Sequence, residues 1–196
     1  MQIDHLEEAT ALAAPAVVLL SGGIDSMAAV HYCLNKGWAT RGVFVDFGQR
    51  AAVREAAAVK AIASYLGIDV HTCSASGVEL PDTGEVRGRN AWLIQTALIA
   101  SPMRSGLVVT GIHSGTAYVD CSPDFIQKMA DLVVVQTAGT IQLFTPFLRW
   151  NKADIYAYCN HGSLPVDLAY SCERGLNQPC GGCQSCSDLE ALRARS

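Results

Sequence analysis

No apolar run in these 196 residues approaches the ~20 that a membrane-spanning helix requires. Charge is scarce as well. Only 16% of residues are charged against 50% apolar, which excludes a disordered chain and leaves material for a sizeable core. There is no basic surplus: 14 Lys and Arg face 18 Asp and Glu, for a net charge of −4. That balance argues against a protein that coats nucleic acid or holds it stably. The N-terminus lacks the basic, apolar start of a secretory signal and carries Asp4, Glu7 and Glu8 instead, so a cytoplasmic protein with no membrane partner is expected. No internal repeat or low-complexity linker divides the chain, whose length suits one domain with a small appendage.

Short apolar runs alternate with helical patterns. Residues 16–20 (AVVLL) read as a fully buried strand. Met27 to Lys36 follows as a helix closed by Gly37, then a strand over 41–46 and an Ala-rich helix over 51–66. A strand over 68–73, a polar loop over 74–88, a helix over 90–103 and a strand over 106–110 continue the pattern. Helices over 123–137 and 152–160 flank a short strand at 141–144. This alternation predicts an α/β fold, a doubly wound and mostly parallel sheet. The expected division is an extension over 1–15, a main domain over 16–160 and a C-terminal segment over 161–196.

The first strand runs straight into Ser21-Gly22-Gly23-Ile24-Asp25-Ser26. Two glycines between a buried strand and a helix let backbone N–H groups curl round an anion, and the helix N-terminus adds partial positive charge. Ser21 and Ser26 offer hydroxyls, and Asp25 suits a Mg²⁺ contact or a helix cap. The plainer reading is a tight turn with a capping Asp or Ser. No Gly-Lys-Ser/Thr follows, which sets the loop apart from kinases and GTPases.

Eight cysteines are divided unevenly. Cys33, Cys73, Cys121 and Cys159 stand singly, and the first, second and fourth suit small buried positions. Cys172, Cys180, Cys183 and Cys186 crowd together, with Gly181-Gly182 making a tight turn among them. Thiolates in such turns converge readily on Zn²⁺, and a Cys₄ set leaves no open position, so the metal would be structural. An iron–sulfur cluster is the rival, but the ferredoxin run has its fourth cysteine downstream, whereas here it lies upstream.

The SGGIDS loop resembles the pyrophosphate loop of the N-type ATP-pyrophosphatases. Further blocks narrow the likeness: Phe47-Gly48-Gln49-Arg50 with Glu55, Gly88-Arg89-Asn90, Thr110-Gly111, Asp120-Cys121-Ser122-Pro123-Asp124-Phe125-Ile126, Pro146-Phe147 with Lys152 and Ile155, and the cysteine tail. Together they are similar to the 7-cyano-7-deazaguanine synthases, from about Val17 to Cys186. The resemblance implies a HUP/Rossmann-like ATP-pyrophosphatase fold with a zinc-binding appendage, ATP and Mg²⁺ as cofactors, and a structural zinc on the four clustered cysteines. It implies a catalytic set of Ser21, Asp25, Ser26, Arg50 and Arg89. Nucleotide contacts would come from Leu20, Ser21, Gly22, Gly23, Ile24, Asp25, Ser26, Asp46, Gln49, Arg50, Arg89, Asn90 and Gly111.

The implied reaction adenylates 7-carboxy-7-deazaguanine and lets ammonia displace AMP, giving an amide and then a nitrile. A homodimer is expected on the same ground. Several of these residues also have structural readings. Arg50 and Arg89 suit surface salt bridges, Asp46 a strand end, and Glu55 an ordering contact to Arg50 or Arg54. His113 is placed to reach the site or to be polar surface, Cys121 to lie near the substrate, and Trp38, Trp92 and Trp150 to pack.

Three stretches depart from the family pattern. Ala51 stands where a histidine is usual, the segment 112–118 is short and lacks its usual acidic residue, and Asp188-Leu189-Glu190 replaces a basic tail. They leave open a paralogue that joins the deazaguanine carboxylate to a protein amine or a nucleobase, for example in antiviral defence. A non-catalytic nucleotide-binding module is the reading from another class.

Overall fold

The computed structural model describes residues 14–81, 86–116 and 118–194. Its centre is a five-stranded sheet of β1 (Pro15–Leu19), β2 (Ala39–Asp46), β3 (Val70–Ser74), β4 (Gly106–Val109) and β5 (Ile141–Phe144), ordered β3-β2-β1-β4-β5. Every pairing is parallel. Five short parallel strands need helical crossovers, and the intervening segments supply them: α1 (Ile24–Asn35), α2 (Ala52–Leu66), α3 (Arg89–Ala100), α4 (Pro123–Gln136) and α5 (Lys152–His161). A last helix, α6 (Gln184–Arg193), follows the cysteine turn.

Alternation along the strands splits the core into two layers. Ala16, Val18 and Leu20 face a layer with Met27, Val30, Ile62, Ile155 and Cys159 of α1, α2 and α5, and Phe147 of the turn before α5. Val17, Val43 and Val45 face the opposite layer with Ile94, Ala97, Ile126, Met129 and Val133, on α3 and α4. The sheet is therefore covered on both faces. Leu164 is buried in the first layer, and Val166, Leu168 and Ala169 pack against it, so the core runs several residues past α5.

Local chemistry fixes the helix starts. Ser122 caps α4, its hydroxyl accepting from Phe125 N–H at 3.2 Å with Pro123 in the first turn. Asn151 and Asp154 form a reciprocal capping box on α5. α1, like α2, α3 and α6, has no capping side chain at its N-cap residue; that residue is Gly23, so the first N–H groups of α1 are left without one. No helix among the described residues is long and apolar enough to cross a membrane.

Candidate active site

Strand order reverses beside β1: the chain moves outward to β2 and β3, then returns to β4 on the other side. In open α/β sheets, the crevice beyond the carboxyl ends of the strands at that switch point is where ligands bind. The SGGIDS turn occupies this place, leading from β1 into α1. Its hydroxyls are organised inward. Ser26 Oγ donates to the Gly23 carbonyl at 2.9 Å and accepts from Ser21 N–H at 3.2 Å, and Ser21 Oγ lies 3.2 Å from it. Gly22 has φ +83°, and a Cβ there would lie 2.8 Å from the Glu55 carbonyl oxygen. Only glycine lets α2 approach the loop so closely.

Gly111, just past β4, lies against the other side of the loop. A Cβ on it would come within 2.7 Å of the Asp25 carbonyl oxygen and 3.1 Å of Ser26 N. The turn after β2 closes the opposite side. Asp46 Oδ1 accepts from Gly48 N–H at 3.0 Å, and Gln49 Oε1 accepts from Phe47 N–H at 2.9 Å. Gln49 Nε2 donates to Val45 O at 3.2 Å and to Glu55 Oε2 at 2.7 Å. Gln49 is thus the side chain that orders Glu55, in place of the Arg50 or Arg54 contact expected from helix spacing. Burial pushes the Glu55 carboxyl above its ordinary value, with the Gln49 hydrogen bond and the Arg89 charge opposing the shift. Arg50 is exposed on this turn.

Arg89 opens α3, its Nε donating to Asn90 Oδ1 at 3.3 Å. Asn90 is buried and tied to Asp120: its N–H donates to Asp120 Oδ2 at 3.3 Å and its Nδ2 to the Asp120 carbonyl at 3.1 Å. A carboxylate at this helix start complements the α3 dipole, so Asp120 is a cap borrowed from a distant turn. Nothing in local spacing announces it. Cys121 is buried beside Asn90 Nδ2 (3.5 Å), and burial raises its thiol above the ordinary value.

His113 is not polar surface, one of the two positions its loop setting allowed. It is 4% exposed, and its Nε2 faces Asp25 Oδ2 at 3.6 Å. Its Nδ1 accepts from Gly115 N–H at 3.2 Å, which places the proton of the neutral ring on Nε2, towards Asp25. Among the single cysteines Cys33 and Cys159 are fully buried, whereas Cys73 is only half-buried. Trp38 is buried, Trp150 stacks on Phe147 at 4.9 Å, and the half-exposed Trp92 packs edge-on against Phe47 at 5.6 Å.

The cysteine tail returns to this face of the sheet. The sulfurs of Cys172, Cys180, Cys183 and Cys186 all lie within 4.8 Å of one another. Four thiolates around one zinc at about 2.3 Å would sit about 3.8 Å apart, and Cys180 and Cys186 are already at 3.9 Å. The set fits a tetrahedral metal. Burial would raise the Cys172 thiol, but N–H groups of Cys180 and Arg174 outweigh it and bring it to about 6; burial and neighbouring thiols push Cys186 up to about 12. The tail is tied to α5 by an ion pair from Lys152 to Asp188. Burial works against that carboxylate, but Lys152 and Gln184 hold it below its usual range.

A family model described as queuosine biosynthesis protein QueC matches residues 15–80 and 74–194. The chain belongs to the QueC family. Proteins named 7-cyano-7-deazaguanine synthase are its relatives: one from Synechococcus sp. (strain CC9605) is 31% identical over 90% of this chain and 91% of its own length. Another, from Parasynechococcus marenigrum (strain WH8102), is 32% identical over 89% and 90%. A third, from Methanoculleus marisnigri, is 31% identical over 87% and 90%.

Two solved structures share the fold of this QueC-family chain. One is a predicted subunit of tRNA methyltransferase from Methanocaldococcus jannaschii (TM-score 0.51, 15% identity, 76% of each chain). The other is a 4-thiouridine synthetase–RNA complex with bound ATP (TM-score 0.53, 18% identity, 93% of this chain and 50% of that one). At such identities they speak for architecture alone. The doubly wound, mostly parallel sheet expected from sequence is the sheet observed, and the cysteine appendage expected to bind metal brings its four sulfurs together.

Proposed function

We propose that this protein is an ATP-dependent, AMP-forming C–N ligase that converts 7-carboxy-7-deazaguanine to 7-cyano-7-deazaguanine with ammonia. The observation that carries the reading is the uncapped N-terminus of α1 behind the Ser21–Ser26 loop, in a family whose relatives are named 7-cyano-7-deazaguanine synthase. A helix end of this kind, with two hydroxyls and close backbone on both sides, is built to hold phosphate.

A free carboxylate does not react with ammonia in water, so one oxygen must first become a leaving group. In the proposed reaction the substrate carboxylate attacks the α-phosphorus of ATP and pyrophosphate departs. Ammonia then adds to the acyl carbon and AMP leaves, giving the amide. A second ATP activates the amide oxygen, and loss of AMP and protons yields the nitrile. The loop holds the departing phosphates, Arg50 and Arg89 offer planar forks to phosphate or carboxylate, and Gln49 and Glu55 brace the Arg50 turn. Asp25, whose side chain is 38% exposed, fits Mg²⁺, which is commonly held by one or two carboxylates together with substrate phosphates. The metal would supply positive charge to those phosphates. The four-cysteine set would hold a structural Zn²⁺. A cytoplasmic homodimer completes the proposal, and sedimentation velocity tests the dimer.

A second acceptor is favoured by where the departures fall. Ala51 is buried, His113 faces Asp25, and Asp188 neutralises Lys152. All three border the proposed phosphate site or the tail beside it, where a protein amine or nucleobase would replace ammonia without disturbing adenylation.

The test incubates the protein with ATP, Mg²⁺, ammonium and 7-carboxy-7-deazaguanine, followed by mass spectrometry. Amide or nitrile with AMP is the expected result. AMP release that stalls at the adenylate would turn the reading to the second acceptor, and ATP binding without any AMP would overturn both.

A further inference from the structure

Between α5 and the cysteine turn, residues 170–175 cross the mouth of the candidate site and touch both of its phosphate-facing turns. Tyr170 N–H donates to the Gly22 carbonyl at 2.8 Å. That bond comes from outside the loop and fixes the peptide plane between Gly22 and Gly23, whose N–H must point at an anion if the loop is to hold one. Five residues on, Gly175 lies against the turn after β2. A Cβ on Gly175 would lie 2.7 Å from the Arg50 carbonyl carbon and 3.1 Å from Ala51 Cα, and closer still to the Arg50 oxygen. Its φ of +67° is a second reason for glycine. Between these two contacts sits Cys172, buried and one of the four converging sulfurs. Tyr170 Oη donates to Leu176 O at 2.8 Å, closing the segment into a tight strap.

We propose that this strap is a positioning brace: residues Tyr170 and Gly175 hold the SGGIDS loop and the Gln49–Arg50 turn in one arrangement, and metal at the cysteine cluster holds the strap. Metal occupancy and nucleotide affinity are then linked, because the same short segment serves both. The inference rests on the nucleotide reading of the loop given above. It goes further in giving the appendage a part in ligand binding, where a metal that merely anchors the tail would leave affinity unchanged. Ala51 belongs to the same arrangement. Its Cα is the third atom that a Cβ on Gly175 would meet, and the residue is buried.

The experiment measures ATP affinity by calorimetry in the zinc-loaded protein, in the chelator-treated protein and in Gly175→Ala, with zinc content and circular dichroism recorded for each. Metal removal and Gly175→Ala are each expected to weaken ATP binding about tenfold, within the usual range for coupled sites. The variant should keep its zinc. Tyr170→Phe, which removes the strap-closing bond to Leu176 and the hydroxyl's hydrogen bond to Cys172 but keeps the backbone bond to Gly22, is the milder variant and should weaken ATP by a smaller factor with zinc retained. As a stability control, Val133→Ala in the opposite core layer should lower the melting temperature without changing ATP affinity. Unchanged affinity in the folded metal-free protein or in zinc-loaded Gly175→Ala would overturn the brace and leave the nucleotide reading intact. Failure of the zinc-loaded wild-type protein to bind ATP would overturn both.

Discussion

Two partly exposed acidic residues near the loop, Asp25 and Glu55, each give a prediction. Asp25 is half open at the N-terminus of α1, with His113 Nε2 facing it from a buried ring. If it sets the charge at the phosphates, Asp25→Ala should reduce AMP formation by about a hundredfold or more, the scale of losing one preorganised electrostatic group. Circular dichroism should be unchanged, and turnover near the wild-type rate would remove Asp25 from the mechanism. Glu55 is also only partly buried, but its carboxyl is raised by desolvation. An acid with a raised folded pKa binds more protons folded than unfolded, so its contribution falls as pH climbs above the ordinary carboxylate value. Glu55→Gln keeps an acceptor for Gln49 and removes the partly buried charge. Its melting temperature should exceed wild type at pH 7, with the gap closing towards pH 4; an equal gap at both values would refute the electrostatic cause. Neither situation was visible in sequence, where Glu55 reads as a surface acid one helical turn from two arginines. Its burial comes from α2 lying flat against Gly22.

At the level of elements, strands and helix identities were legible because β1 and β4 are short apolar runs, β2 carries the apolar core Val43 to Val45, and most helices end in polar or glycine-rich sequence. Helix starts were less so. Periodicity opens the first helix at Met27, but α1 begins at Ile24, since phosphate-loop residues Ile24 to Ser26 already form its first turn. The turn 119–121 is helical of the tighter kind, and its function as a cap for α3 depends on Asp120 reaching across 30 residues. Contacts of that range leave no trace in local spacing. The approach of β4 to α1 is another, and it can be tested. Gly111→Ala would drive a methyl into the Asp25 peptide, an overpacking that costs about 1–3 kcal/mol. Both the melting temperature and ATP affinity should fall, and a variant that melted lower yet bound ATP normally would show that Gly111 serves packing alone.

Over the whole molecule, the site lies where the strand order reverses, and residues 170–175, which lead into the cysteine turn, come back to it. The metal-binding character of the tail was readable from cysteine spacing. The particular contacts that place it were not, because Lys152–Asp188, Tyr170–Gly22 and Gly175–Arg50 each join distant segments. We propose the division at residue 160 into main domain and appendage; Leu164 and its neighbours up to Ala169 pack into the first layer all the same. Cys183 is a sulfur of the cluster at the N-cap position of α6, where its side chain makes no capping bond, so Cys183→Ala removes a ligand without removing a cap. The wild-type protein should carry about one zinc per chain and the variant almost none, since a Cys₄ site depends on every ligand. Limited proteolysis should then cut the variant between Tyr170 and Gln184, where the strap and cysteine turn have lost their anchor, and leave a resistant fragment ending near Ala169. Cleavage inside the sheet-forming residues instead would mean that the metal supports the entire domain, and iron in place of zinc would refute the assignment of the cluster.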